Sequence, residues 1–135
     1  MVIDTSVLYA ILTDEPEAPA FEMAIEADPI RLLSAGSLLE ISLLVEARIG
    51  PSGIGELDIL LAQARIEVVP VNREQVDLGL SAFRSFGKGR HPARLNFGDC
   101  FSYALSRSSG EPLLFKGNDF NQTDIQTVVW RPRAE

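Results

Sequence analysis

The chain has one cysteine, Cys100, and one histidine, His91. A single thiol excludes an internal disulfide, and the two residues are too few for a Cys/His zinc cluster. Long hydrophobic runs are missing as well; no apolar stretch approaches the roughly 20 residues of a membrane helix. Residues 1–30 hold no lysine or arginine but seven acids. The start, "MVIDTSVLYAILTDEPE", therefore lacks the basic leader of a signal peptide, and a cytoplasmic protein is expected. From Leu78 to Gly98 the opposite sign is missing: there is no Asp or Glu, only Arg84, Lys88, Arg90, His91 and Arg94. A second basic group, "WRPR", occupies 130–133. With a net charge of −7 the whole is a poor nonspecific binder of nucleic acid, yet a local basic groove is compatible with it.

What is present suits one globular domain over residues 1–135: 46% hydrophobic and 23% charged residues, with no repeat or long linker. "MVID" predicts a buried strand ending at Asp4, followed by a helix in "TSVLYAILTD". A helix restarts after Pro16 or Pro19, "IRLLS" is a strand, and "AGSLLEISLLVEARIG" is a helix stopped by Gly50 and Pro51. "GIGELDILLAQAR" carries Ile54, Leu57, Leu60, Leu61 and Ala64 at helical spacing. "IEVVPV" is a strand, and Asn72 caps the helix "NREQVDLGLSAFRSF". After the basic loop "GKGRHPAR", Asn96 caps a helix whose apolar stripe is Phe97, Cys100, Phe101, Ala104 and Leu105. That stripe assigns Cys100 to the core, and His91 is expected to touch phosphate or solvent. "PLLFK" and "IQTVVW" complete the strands around the turn "GNDF". Such alternation implies an α/β fold with a mostly parallel sheet covered on both faces, and a site at the carboxyl edge of the strands.

Four acids stand near that edge. Taken singly, Asp4 caps a helix, Asp99 complements a helix dipole by about 0.5 kcal/mol, and Asp119 is an ordinary turn residue. Glu40 is different. It shares a helix face with Leu43, Leu44 and Ala47, expected to be the core face, where a carboxylate needs either a buried arginine or a metal. If the four converge, like charges 4–5 Å apart repel by about 3–4 kcal/mol per pair at an effective dielectric of 20. Mg²⁺ or Mn²⁺ is the fitting counter-charge for oxygen ligands.

The stretches "MVIDTSVLYAIL", "SLLEISLLVEAR", "RHPARLNFGDCFSYALS" and "EPLLFKGNDFNQTDI", in this order, resemble those of PIN-domain ribonucleases, and specifically VapC-like toxins of toxin–antitoxin pairs. The resemblance implies a three-layer α/β/α domain with about five strands. It makes Asp4, Glu40, Asp99 and Asp119 the catalytic acids, with Asp4 and Asp99 the firmest metal ligands and Thr5, Ser6 and Asn118 in support. Many relatives carry a further aspartate just before the fourth acid. Here Gly117 and Asn118 stand there, so Asp119, Asn118 and Asp124 all remain candidates for that position. The implied reaction is endonucleolytic cleavage of RNA, transfer RNA by preference, with Mg²⁺ (or Mn²⁺) activating a water for in-line attack that leaves a 5′-phosphate and a 3′-hydroxyl. Arg84, Lys88, Arg90, Arg94 and Lys116 would meet the RNA backbone, although a solvated loop explains the basic stretch equally well. The implied partners are a VapB-like antitoxin, lying in a groove between the N-terminal helices and the helix at 54–64, and a second copy in a homodimer. DNA would be bound only through the antitoxin complex.

Three other function classes compete. A receiver-like Mg²⁺-binding signalling domain needs its acceptor aspartate at the end of a middle strand, whereas "IRLLS" and "IEVVPV" end in Ser34 and Val71. A haloacid-type phosphatase needs D-x-D, which "DTS" lacks. A non-catalytic partner-binding module leaves the four acids without a purpose.

Overall fold

The computed structural model describes residues 1–131, so Pro132 and Arg133 of "WRPR" lie outside the described residues. The chain runs β1 (Val2–Ile3), α1 (Thr5–Leu12), α2 (Ala18–Ala27), β2 (Leu32–Ser34), α3 (Ala35–Arg48), α4 (Pro51–Gln63), β3 (Glu67–Val69), α5 (Arg73–Phe86), α6 (Phe97–Ser109) and β4 (Leu113–Leu114). A 3₁₀ turn follows at Phe120–Gln122. Among the described residues no helix is long and apolar enough to cross a membrane.

The strands form one parallel sheet in the order β3-β2-β1-β4. Side chains alternate across it as the period of two requires. Ile3, Leu33 and Leu114 enter one core with Val7 and Leu8 of α1, Phe21 of α2, Ile41 and Val45 of α3 and Leu57 of α4. Val2 and Leu113 enter the other, with Ala82 of α5 and Tyr103 and Leu105 of α6. The expected three layers are thus present, with α1 to α4 against one face and α5 and α6 against the other.

The predicted last strand, "IQTVVW", adds one rung. Thr127 bridges Leu113, with Leu113 N–H donating to Gln126 O and Val128 N–H to Leu113 O. Beyond it, the indole N–H of Trp130 rather than a backbone N–H donates to Phe115 O (3.2 Å).

Three helices begin on side-chain caps just beyond a strand. Asp4 accepts Ser6 N–H at α1, Ser34 accepts Gly36 N–H at α3, and Asn72 accepts Gln75 N–H at α5. Two glycines then let α3 and α6 approach closely. A Cβ at Gly36 would overlap the ring of Phe101, and one at Gly98 would overlap the carboxylate of Glu40. That second contact brings Glu40 to the first turn of α6.

The structure corrects the facing of both helices. On α3 the buried positions are Ser37, Ile41 and Val45; Leu43 is 61% exposed, so the Glu40 face borders an open cleft rather than the core. On α6 the buried face is Gly98, Ser102, Tyr103, Ala104, Leu105 and Ser106, so Ala104 and Leu105 of the expected stripe are buried and its first three residues are not. Phe97 is 81% exposed, and it lines with Cys100 and Phe101 an apolar groove against Val76, Gly79, Leu80 and Phe83 of α5. Cys100 is therefore half-buried at a groove wall, not a core residue.

Candidate active site

Asp4, Thr5, Ser6, Glu40, Leu43, Leu44, Ala47, Asn96 and Asp99 line one cleft at the carboxyl edge of the sheet. Each acid arrives by a different route. Asp4 follows β1, its backbone N–H donating to Leu114 O (3.0 Å) of the neighbouring strand. Glu40 is carried by α3 and held against Gly98. Asp99 stands in the first turn of α6 in a reciprocal cap: its N–H donates to Asn96 Oδ1 (2.9 Å), and Asn96 N–H donates to Asp99 Oδ2 (3.0 Å).

The cleft lining contains no lysine, arginine or histidine, and no ion pair among the described residues involves Glu40, Asp4 or Asp99. The buried-arginine alternative for Glu40 is absent. The electrostatics follow. Burial, and then the charges of Asp4, Asp119 and Glu40, push Asp99 up to about 7, against a backbone hydrogen bond from Asn96 that pulls it down. Burial and the charge of Asp4 also raise Glu40, while a hydrogen bond from Thr5 opposes them. Crowded carboxylates without a protein counter-cation hold protons or bind a metal. The donor set is all oxygen, which suits Mg²⁺ or Mn²⁺. The described side chains do not form a closed group of three ligands; Mg²⁺, which keeps several waters and takes one or two carboxylates directly, needs none. The residues fit such an ion.

Asp4 is 5% exposed and its carboxylate accepts three hydrogen bonds. Ser6 donates to Oδ2 through both its N–H (3.1 Å) and its hydroxyl (2.7 Å), and Ser102 donates its hydroxyl to Oδ1 (2.5 Å). Ser102 was not legible as a site residue: a serine inside a helix reads as a neutral filler. Its spacing of three from Asp99, which puts both on one helix face, was the available signal.

The remaining predicted residues divide. Asp119 is exposed and outside the cleft lining, yet its charge reaches Asp99. Asn118 borders another hollow, with Phe115, Asn121, Thr127 and Trp130. Asp124 accepts from the Tyr103 hydroxyl (2.7 Å) and from Arg107 (3.1 Å), which ties it to the later turns of α6. Of the three candidates for the fourth acid, Asp119 is the one that acts on the cleft electrostatically. Lys116 departs from expectation as an RNA contact: its ammonium is paired with Glu15 and Glu17, on the segment between α1 and α2. His91 is half-buried: its Nδ1 accepts Ala93 N–H (3.0 Å) and its ring meets Phe86 edge-on, so it shapes the basic loop. Arg84, Lys88, Arg90 and Arg94 are exposed, and none is in an ion pair among the described residues. Burial, and secondarily Asp99, pushes the Cys100 thiol up to about 11, which leaves it protonated and unsuited to nucleophilic catalysis.

The family model of the PIN domain matches residues 1–126. Ribonuclease VapC30 of Mycobacterium tuberculosis is 57% identical over 129 residues, 96% of this chain and 98% of that protein. Ribonuclease VapC of Mycolicibacterium smegmatis is 52% identical, over 95% of this chain and 99% of its own. Among solved structures, VapBC2 from Rickettsia felis, bound to a promoter DNA fragment, superposes with a TM-score of 0.78 at 12% identity, over 96% of this chain and 98% of that one.

Proposed function

The chain belongs to the PIN-domain family as a VapC-like member, and from that premise we propose that it is the ribonuclease toxin of a toxin–antitoxin pair, dependent on Mg²⁺ or Mn²⁺. The observation that carries the metal dependence is a cleft with three carboxylates and no cation in its lining. A bound divalent ion would supply an activated water and neutralise charge on the phosphate. Asp4 and Asp99 are the residues to hold it, with Glu40 and Asp119 beside them. Ser6 fixes Asp4 through its two bonds to it, and Thr5, whose hydroxyl donates to Ser37 O (3.5 Å), lines the cleft beside Glu40. Arg84, Lys88, Arg90 and Arg94, free of carboxylate partners among the described residues, grip the RNA backbone at the approach to α6. Transfer RNA is the proposed substrate class. The antitoxin is assigned to the groove where Ile11, Ile25, Leu60 and Ala64 form an apolar floor beside Glu22, Glu26, Arg31 and Arg65. The apolar α5–α6 groove is available to the second copy of a homodimer.

The test is incubation of the purified protein with transfer RNA and other structured RNAs. Cleavage in Mg²⁺ that leaves 5′-phosphate ends, stops in EDTA and returns with Mn²⁺ is expected. Cleavage that continues in EDTA overturns the metal dependence, and failure to cut any RNA favours the partner-binding alternative.

A pH dependence follows from Asp99. Its folded value, about 7, lies above the ordinary 3.8, so the metal-free protein is favoured by this group at low pH. That advantage is lost as pH rises through about 7 and the buried carboxyl must ionise. A divalent ion binds the ionised form and restores the loss. The rise in melting temperature on adding Mg²⁺ should therefore be small at pH 5 and approach its full size above pH 7. Asp99→Asn should flatten the curve; a shift of equal size at both pH values would contradict the assignment.

A further inference from the structure

We propose that Ser102 is a positioning residue for Asp4, fixing the one carboxylate oxygen that remains open to a divalent cation. This rests on the metal-site reading above. A serine inside a helix commonly returns its proton to the carbonyl four residues earlier, as Ser42 does to Leu38 O (2.7 Å). Ser102, fully buried, instead sends its proton out of its helix to Asp4 Oδ1, at 2.5 Å. Behind it stands the hydroxyl of Ser37, equally buried and 3.4 Å from Ser102 Oγ. On the other side of Asp4, the Ser6 hydroxyl accepts Lys116 N–H (2.9 Å), which turns its own proton toward Asp4 Oδ2.

The acceptor count gives this arrangement a consequence. An ionised carboxylate has about four acceptor sites. The N–H and hydroxyl of Ser6 take the two on Oδ2, and Ser102 takes one on Oδ1. One site is left, on the oxygen that Ser102 holds. Removing the Ser102 hydroxyl frees that oxygen to rotate and leaves its aim undefined. Groups that orient a ligand in this way typically change metal affinity by 10- to 100-fold.

The experiment measures Mn²⁺ binding to the full chain at pH 8, by calorimetry and by the electron paramagnetic resonance of free Mn²⁺, with RNA absent. Ser102→Ala should weaken binding about tenfold or more. Ser102→Thr, which keeps the hydroxyl, should restore most of it. Melting temperature without metal is recorded alongside; a purely packing role would lower it and leave Mn²⁺ affinity unchanged. Wild-type binding matched by Ser102→Ala overturns the positioning role. Absence of binding by the wild type overturns the metal-site reading and the positioning role with it. Should Ser102→Ala fail to fold, Ser102→Cys becomes the deciding variant: it keeps the side chain's shape but offers only a weak donor, so a several-fold loss of Mn²⁺ affinity supports the proposal and an unchanged affinity overturns it.

Discussion

Asp4→Asn should reduce RNA cleavage by about a thousandfold, which corresponds to ~4 kcal/mol of lost transition-state stabilisation, and should leave the fold intact. Asparagine is chosen because Asp4 has two duties. As N-cap of α1 it accepts Ser6 N–H, and an asparagine oxygen caps a helix as well as an aspartate oxygen does. Its second duty needs charge. The substitution also removes one of the repulsions acting on Asp99 and Glu40, which offsets part of the stability lost where Ser102 or Ser6 meets an amide N–H₂. The melting temperature should thus move by a few degrees at most while turnover collapses. Alanine would confuse the two duties by removing the cap as well. Turnover within tenfold of wild type would remove Asp4 from the catalytic set.

Gly98→Ala should be nearly neutral for stability and damaging for activity. Exchanging a helical glycine for alanine ordinarily stabilises by about 1 kcal/mol. At this position the new Cβ would occupy the place of the Glu40 carboxylate. That carboxylate is the far end of a flexible, half-exposed side chain, so it can swing toward solvent at little conformational cost. Glu40 then no longer stands beside Asp4 and Asp99. Activity should drop about a hundredfold and match that of Glu40→Ala. The double variant should be no worse than either single one, because both remove the same group. Additive losses in that cycle would mean that Gly98 acts by another route, such as admitting RNA close to the α6 N-terminus.

The outline of the fold was legible because short apolar strands and capped helices are local signals. Asn72 and Asn96 mark their helix starts as expected, and the strand candidates "MVID", "IRLLS", "IEVVPV" and "PLLFK" each contain an observed strand. What failed was facing. The stripe through Phe97, Cys100 and Phe101 is the more apolar side of α6, yet the side turned to the sheet carries Ser102 and Ser106. Their hydroxyls are paired, with Asp4 and with Glu111 O, so burying them costs little. Polarity predicts exposure only for groups that would otherwise lack partners, and those partners are distant in sequence. The same reason hid the fate of Lys116, whose carboxylate partners lie on the far side of the chain in sequence. Glu40 stands out in the sequence as a carboxylate on an apolar face, and the structure places it in the cleft with Asp4 and Asp99. The face itself is a cleft wall at the margin of the core: Leu43 is exposed, whereas Leu44 is partly buried and packs against the core.

Strand β1 lies between β2 and β4, so an early segment of the polypeptide pairs with a very late one. Contacts of such long sequence separation form slowly, after most of the loop-closure entropy has been lost. The clustered acids inherit this timing, since Asp4 meets Ser102 and Asp99 only after α6 and β4 have docked on β1. A growing chain that still lacks residues 97–114 has its first aspartate but no site around it. The cleft is thus among the last parts of the molecule to be completed as the polypeptide is made.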